Sequence, residues 1–191
     1  MIRYALFGLL VAATAHAEPT SGARLDVCAL GQGSDPAKLL DQYADRKYQN
    51  SFLDLPGQSA FFDQSSLFRC GDFQFLDGKD KGMYSSDNVL FTTTPDEKSI
   101  RVVRVTMALN DHFANLIGFL EKTYGPGKVL RSDVKSKGER KAGEEIRLIE
   151  TPDRNYYLDI VYIGIPIPAG SLVIVAKGDV EANRKVVDAR P

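Results

Sequence analysis

The sequence predicts an α+β fold in which an antiparallel sheet is packed by two main helices and tied by one disulfide. Three observations lead there. Two segments with apolar residues at helical spacing, 36–47 and 111–124, are each followed by runs of short β-rich segments, and segregated helices and strands define an α+β layering. Within 100–109, Val103, Val105, Met107 and Leu109 alternate with Arg104 and Thr106, as a strand with one buried face requires. The chain carries two cysteines, Cys28 and Cys70, an even number that is most simply read as one bond in an exported protein.

Residues 1–17 read as a cleaved secretory signal peptide. Arg3 supplies a positive start, residues 4–15 are apolar or small, and Ala15-His16-Ala17 has the small-x-small form of a cleavage site. That apolar run is well short of the ~20 residues a membrane-crossing helix needs. Removing 17 of the 191 residues leaves 174, of which 18–178 form the expected single domain and 179–191 a polar tail or short helix. Asp26 and Val27 precede Cys28 where a lipidation signal would want small residues, so a lipoprotein is not expected.

The first helix is expected over 36–47. Asp35 is a natural N-cap, Pro36 costs nothing at the first helical position, and Leu39, Leu40, Tyr43 and Ala44 follow at helical spacing. Residues 51–109 read as β-structure: Phe61 and Phe62, an aromatic stretch from Leu67 to Leu76 whose phase shifts at Gly71-Asp72 as a bulge would, and two strands around Thr94-Pro95-Asp96. The second helix is the strongest element. Asn110 or Asp111 caps it, Phe113, Leu116, Ile117, Leu120 and Tyr124 line one face, and Gly125-Pro126-Gly127 stops it. Further strands surround a charged loop at 135–143 and a Thr151-Pro152-Asp153 turn. The order admits an imperfect helix-plus-strands duplication. Its two Thr-Pro-Asp turns are 57 residues apart and its helix starts 75, so it would need an insertion of about 18 residues.

Composition narrows the function. A hydrophobic fraction of 43% excludes wholesale disorder, and a net charge of -1 excludes a globally basic nucleic-acid binder. Without the leader the single histidine is His112, in the first turn of the second helix, where a solvated surface role is expected. No Gly-x-Ser-x-Gly elbow, Cys-x-x-Cys pair or zinc ligand set occurs, so no catalytic residue, metal or cofactor is assigned. Gly31-x-Gly33 lacks the third glycine of a dinucleotide loop, and the Asp77 and Asp80 turn carries lysines where calcium would want oxygens.

Two segments read as contact surfaces for another protein. Ile165, Pro166, Ile167 and Pro168 form an apolar, proline-stiffened connection that would lose little entropy on binding. Lys135, Lys137, Arg140 and Lys141 make a cationic hairpin tip suited to an acidic partner. The resulting expectation is a periplasmic or secreted, non-enzymatic interaction module, such as an inhibitor, an immunity-type factor or an envelope accessory. The alternatives are a hydrolase working through a carboxylate pair near Glu144, Glu145 and Glu150, and a carrier of a small apolar ligand lined by the aromatic strands. No transmembrane segment is expected in the mature chain.

Overall fold

The computed structural model describes residues 24–29, 46–48, 53–62, 65–76, 87–137, 140–162 and 169–189. The expected signal peptide, residues 36–45 of the expected first helix, the Asp77 turn and the Ile165 to Pro168 connection lie outside them.

The chain is mostly β-sheet, which corrects the α+β expectation. Its short N-terminal strands are β1 (Leu25–Asp26), β2 (Arg46–Tyr48), β3 (Ser59–Phe62), β4 (Phe68–Cys70) and β5 (Phe73–Gln74). The central hairpin pairs β6 (Asn88–Thr93) with β7 (Ile100–Ala108). After helix α1 (Asp111–Tyr124) come β8 (Lys128–Ser132), β9 (Lys135–Lys137), β10 (Arg140–Ala142), β11 (Glu144–Glu150), β12 (Arg154–Val161) and β13 (Ala169–Ala176), and helix α2 (Val180–Asp188) follows. Arg46 and Lys47, expected as the end of a helix, are strand residues paired with Phe61 and Ala60.

Eight strands form one antiparallel sheet in the order β2-β3-β6-β7-β13-β12-β11-β8. It is two four-stranded meanders joined through their last strands, and each meander runs into a helix. The expected duplication fails on geometry. Equivalent antiparallel strands β7 and β13 would be related by a two-fold axis normal to the sheet, leaving both helices on one face. Here α1 packs Phe113, Leu116 and Leu120 on the face of Val103, Val105, Leu158, Leu172 and Ile174, while α2 packs Ala182 and Val186 on the opposite face with Val102, Tyr157, Val173 and Val175. The two Thr-Pro-Asp turns are not equivalent either, since one joins β6 to β7 and the other β11 to β12.

Covering both faces explains why β13 is buried from Gly170 through Val175. Gly170 is required there, because a Cβ would sit 2.3 Å from Phe113 Cζ where α1 crosses the strand. The α1 cap is Asn110, whose side chain accepts hydrogen bonds from the backbone N–H groups of His112 and Phe113 at 2.9 and 3.2 Å. Gly125 ends the helix at φ 100°, its N–H donating to the Glu121 carbonyl. A register shift in the β6–β7 pair leaves Arg101 between the partners of Thr92 and Thr93. That bulge aims Arg101 at the start of α2, where it meets Asp179 and Glu181. Asp179 also caps α2 by accepting the Ala182 N–H at 3.0 Å.

A separate three-stranded sheet, β1-β4-β5, carries the disulfide between Cys28 and Cys70, whose Cα atoms are 4.9 Å apart. Gly71 and Asp72, expected as a bulge, form instead the tight turn between β4 and β5, with Cys70 opposite Phe73. The Asp26 carboxylate accepts the N–H groups of Cys28 and Gly71, and the Tyr156 hydroxyl, from the main sheet, donates to the Cys28 carbonyl at 3.2 Å. Phe62, Phe68 and Phe91 are buried in the core and meet edge to face with centroids 5.0–5.6 Å apart.

Candidate functional site

Within the charged segment, Lys135–Lys137 and Arg140–Ala142 pair as a two-stranded ribbon. Lys135 pairs with Ala142, Ser136 with Lys141, and Lys137 with Arg140. It continues the β8–β11 hairpin past a kink at which the backbone is tightly held. Gly143 has φ 119°, and a Cβ there would meet Asp133 Oδ1 at 2.7 Å. The same Oδ1 accepts the Glu144 N–H at 2.6 Å, Asp133 N–H donates to the Glu144 carbonyl, and Tyr162 N–H donates to the Gly143 carbonyl. The ribbon is therefore anchored at its base, and its described residues belong to neither hydrophobic core.

Its register pairs Lys137 with Arg140, so the strands that carry the four cations are paired with each other. Lys135 is exposed, and Lys141, also exposed, places Nζ 5.2 Å from the centroid of the Tyr162 ring. Four cations from the sequence reading thus belong to one short ribbon. Lys128 and Arg131 extend the charge along β8, the terminal strand of the large sheet. There the cations also serve the fold: with the bulge that leaves Leu130 without a register partner on β11, they discourage another strand from adding to this edge. The Ile165, Pro166, Ile167 and Pro168 surface lies outside the described residues and so is not brought to this site.

Of the acidic residues considered for hydrolysis, Glu145 and Glu150 are held in ion pairs. Glu145 binds Arg147 and Ser132, Glu150 pairs with Lys177 at 3.5 Å, and the Arg147 guanidinium reaches on to Glu121 at 3.8 Å. Among the described residues, no group of three or more metal-ligating side chains occurs.

His112 differs from its expected solvated role. Its side chain is 21% exposed, its ring lies 4.7 Å from that of Phe73, and Nε2 is 3.2 Å from Oδ2 of Asp87, which is itself 2% exposed. Asp87 Oδ2 also accepts the Leu76 N–H at 2.8 Å, and Ser65 Oγ donates to the Asp87 carbonyl. The pair joins α1 to the entry of β6 and to the small sheet through Phe73. Nothing local in the sequence marks Asp87, because its burial comes from elements far apart in the chain.

On the α2 face, a Tyr157, Asn155 and Asn183 network holds the helix: the Tyr157 hydroxyl and the Asn155 amide both donate to Asn183 Oδ1 at 2.8 Å. Burial holds the Tyr157 hydroxyl above its ordinary pKa. The Arg101 guanidinium holds the Asp179 carboxyl below the usual carboxylate range, and the Ala182 N–H acts in the same direction.

Compared with known proteins, the chain matches no family model, no curated protein and no solved structure.

Proposed function

We propose that this is an exported, periplasmic or secreted protein, and that it acts as a non-enzymatic interaction module, an inhibitor, immunity-type factor or envelope accessory, gripping an acidic surface of another protein with the β9–β10 ribbon. The observation that carries the reading is the register of that ribbon. It gathers Lys135, Lys137, Arg140 and Lys141 on one short ribbon outside the cores, with Lys135 and Lys141 exposed, and such a concentration of positive charge suits a surface rich in carboxylates. The leader-like first 17 residues and the Cys28–Cys70 bond support an oxidising compartment. Among the described residues no helix is long and apolar enough to cross a membrane.

The experiment compares the purified wild-type protein with Lys135→Glu/Lys141→Glu for binding to a partner recovered from envelope or culture extracts and identified. Binding of the wild type should weaken steeply with salt and the double variant should fail, with circular dichroism unchanged. A partner held equally by both proteins would remove the ribbon from the interface.

A further inference from the structure

We infer that the groove between the C-terminal end of α1 and the β11–β12 turn is a binding site for an aromatic monocarboxylate, whose carboxylate Arg154 takes and whose ring lies against Tyr124. The groove measures about 470 Å³ and opens to solvent. Ligand pockets run from about 300 to 1,000 Å³, so a ring with its carboxylate and a short substituent fits. Its inner lining is made by buried Cys28 and Tyr156 and half-buried Tyr124, Thr151 and Arg154, and exposed Glu150, Pro152 and Asp153 stand at its rim.

Arg154 is the one ionisable group of that inner lining besides the two tyrosines, and its guanidinium is unused. The other half-buried arginines among the described residues spend theirs on the protein: Arg69 meets Asp26 and the Gly71 carbonyl, Arg101 meets Asp179 and Glu181, Arg104 meets Ser171, and Arg147 meets Glu145 and Glu121. The Arg154 guanidinium forms no hydrogen bond or ion pair with any described residue. Its backbone is nevertheless fixed by Thr151, whose N–H donates to the Arg154 carbonyl at 2.9 Å and whose hydroxyl accepts the Arg154 N–H at 3.1 Å. Burial holds the Tyr156 hydroxyl above its ordinary pKa while the Arg154 charge pulls it down, so that charge acts beside the phenol that donates to the Cys28 carbonyl. Partial burial of a cation costs desolvation that a bound anion offsets.

A guanidinium presents a planar fork that meets a carboxylate with two parallel hydrogen bonds. Next to it the Tyr124 ring stacks on that of Tyr156, with centroids 4.9 Å and planes 14° apart. The stack fixes Tyr124, and a ligand ring can meet it offset or edge-on, as aromatic pairs prefer. The rim sets the ligand's charge. Glu150, paired with Lys177 at 3.5 Å, and Asp153 are exposed acids beside a single guanidinium, so one negative charge is favoured over two and a carboxylate over a phosphate monoester. None of the ribbon's residues lines the groove, so its ligand is independent of the ribbon's partner.

The test titrates the intact purified protein with benzoate, benzamide, acetate and phenyl phosphate by isothermal calorimetry, with thermal unfolding as a second readout. Benzoate is expected to bind and to raise Tm. Benzamide, which lacks the charge, acetate, which lacks the ring, and phenyl phosphate, which carries a second charge, should each bind at least about tenfold more weakly. Arg154→Gln should level benzoate with benzamide, and Tyr124→Leu should level benzoate with acetate. If either variant is too unstable to purify, the four-ligand comparison on the wild type decides alone. The inference is overturned if benzoate neither titrates nor moves Tm up to roughly 50 mM, if any of the other three matches it, or if either variant keeps the preference it should lose.

Discussion

The two faces of the large sheet are built to different rules. Under α1, Val103, Val105, Met107, Leu158, Ile160, Leu172 and Ile174 are each at most 2% exposed and meet a continuous apolar stripe of Phe113, Leu116 and Leu120. Under α2, apolar Val102, Val173 and Val175 share the surface with Arg104, Thr106, Asp159, Ser171 and Asn155. The first face is a core whose residues answer only to volume. The second is a seam of polar groups placed by register, and its helix is held by capping, one ion-pair cluster, the hydrogen bonds of Tyr157 and Asn155 to Asn183, and a few aliphatic contacts. Stability should therefore reside on the α1 face and adjustability on the α2 face.

The sharpest break in that contrast is Phe113→Ala. It removes a fully buried ring and should cost about 3–5 kcal/mol, read as a fall in the urea midpoint; a loss below 1 kcal/mol would deny the α1 face its dominance. Next is His112→Ala, which leaves the buried Asp87 without its imidazole contact and should cost about 1–3 kcal/mol by the same measurement. An unchanged midpoint would make the pair incidental.

On the α2 face the expected effect is smaller and depends on pH. Asp179 titrates below its unfolded value because Arg101 favours the carboxylate, so its contribution is present above the ordinary carboxylate pKa of about 4 and is lost as pH falls through the depressed folded value. Amide exchange should accelerate in 180–188 before it does in 111–124 as the protein is acidified. Asp179→Asn should remove most of that difference at a cost of about 1 kcal/mol. Simultaneous acceleration in both helices would contradict the division between the faces. The smallest effect belongs to the ribbon: Lys135→Glu/Lys141→Glu should leave the urea midpoint within about 0.5 kcal/mol of wild type, since both side chains are exposed.

The same division governs how much the sequence discloses. The α1 helix is legible to its caps, because Asn110, the Phe113-Leu116-Leu120 stripe and Gly125 are local signals, and the structure uses each of them as read. The alternation of Val103, Val105 and Met107 likewise reports a real face. Cysteine parity identifies the bond between Cys28 and Cys70. The mostly-β character is hidden because several strands are too short or too charged to look like strands. Residues 135–137 and 140–142 carry almost no apolar residue, and only pairing with each other makes them β. Arg46 and Lys47 follow a helical pattern, yet cross-strand partners claim them. On the candidate sites, the cations of the ribbon are visible as composition, but their register is not. The approach of His112 to Asp87, and of Arg154, Tyr124 and Cys28 to one groove, is created by strand order and helix packing, which no single window of sequence contains.

That strand order has a consequence for assembly. The strand in the middle of the sheet, β13, is the last of the eight to be synthesised, arriving more than sixty residues after the neighbour β7 to which it bonds. Until it arrives, the first meander ends in β7 with an apolar edge open, and the second lacks the strand that completes it. A nascent or prematurely terminated chain thus offers two half-sheets with adhesive borders, whereas the finished chain closes both in a single step. The molecule grows from its margins and seals its centre last, so its period of greatest vulnerability to aggregation is the interval before residues 169–176 emerge.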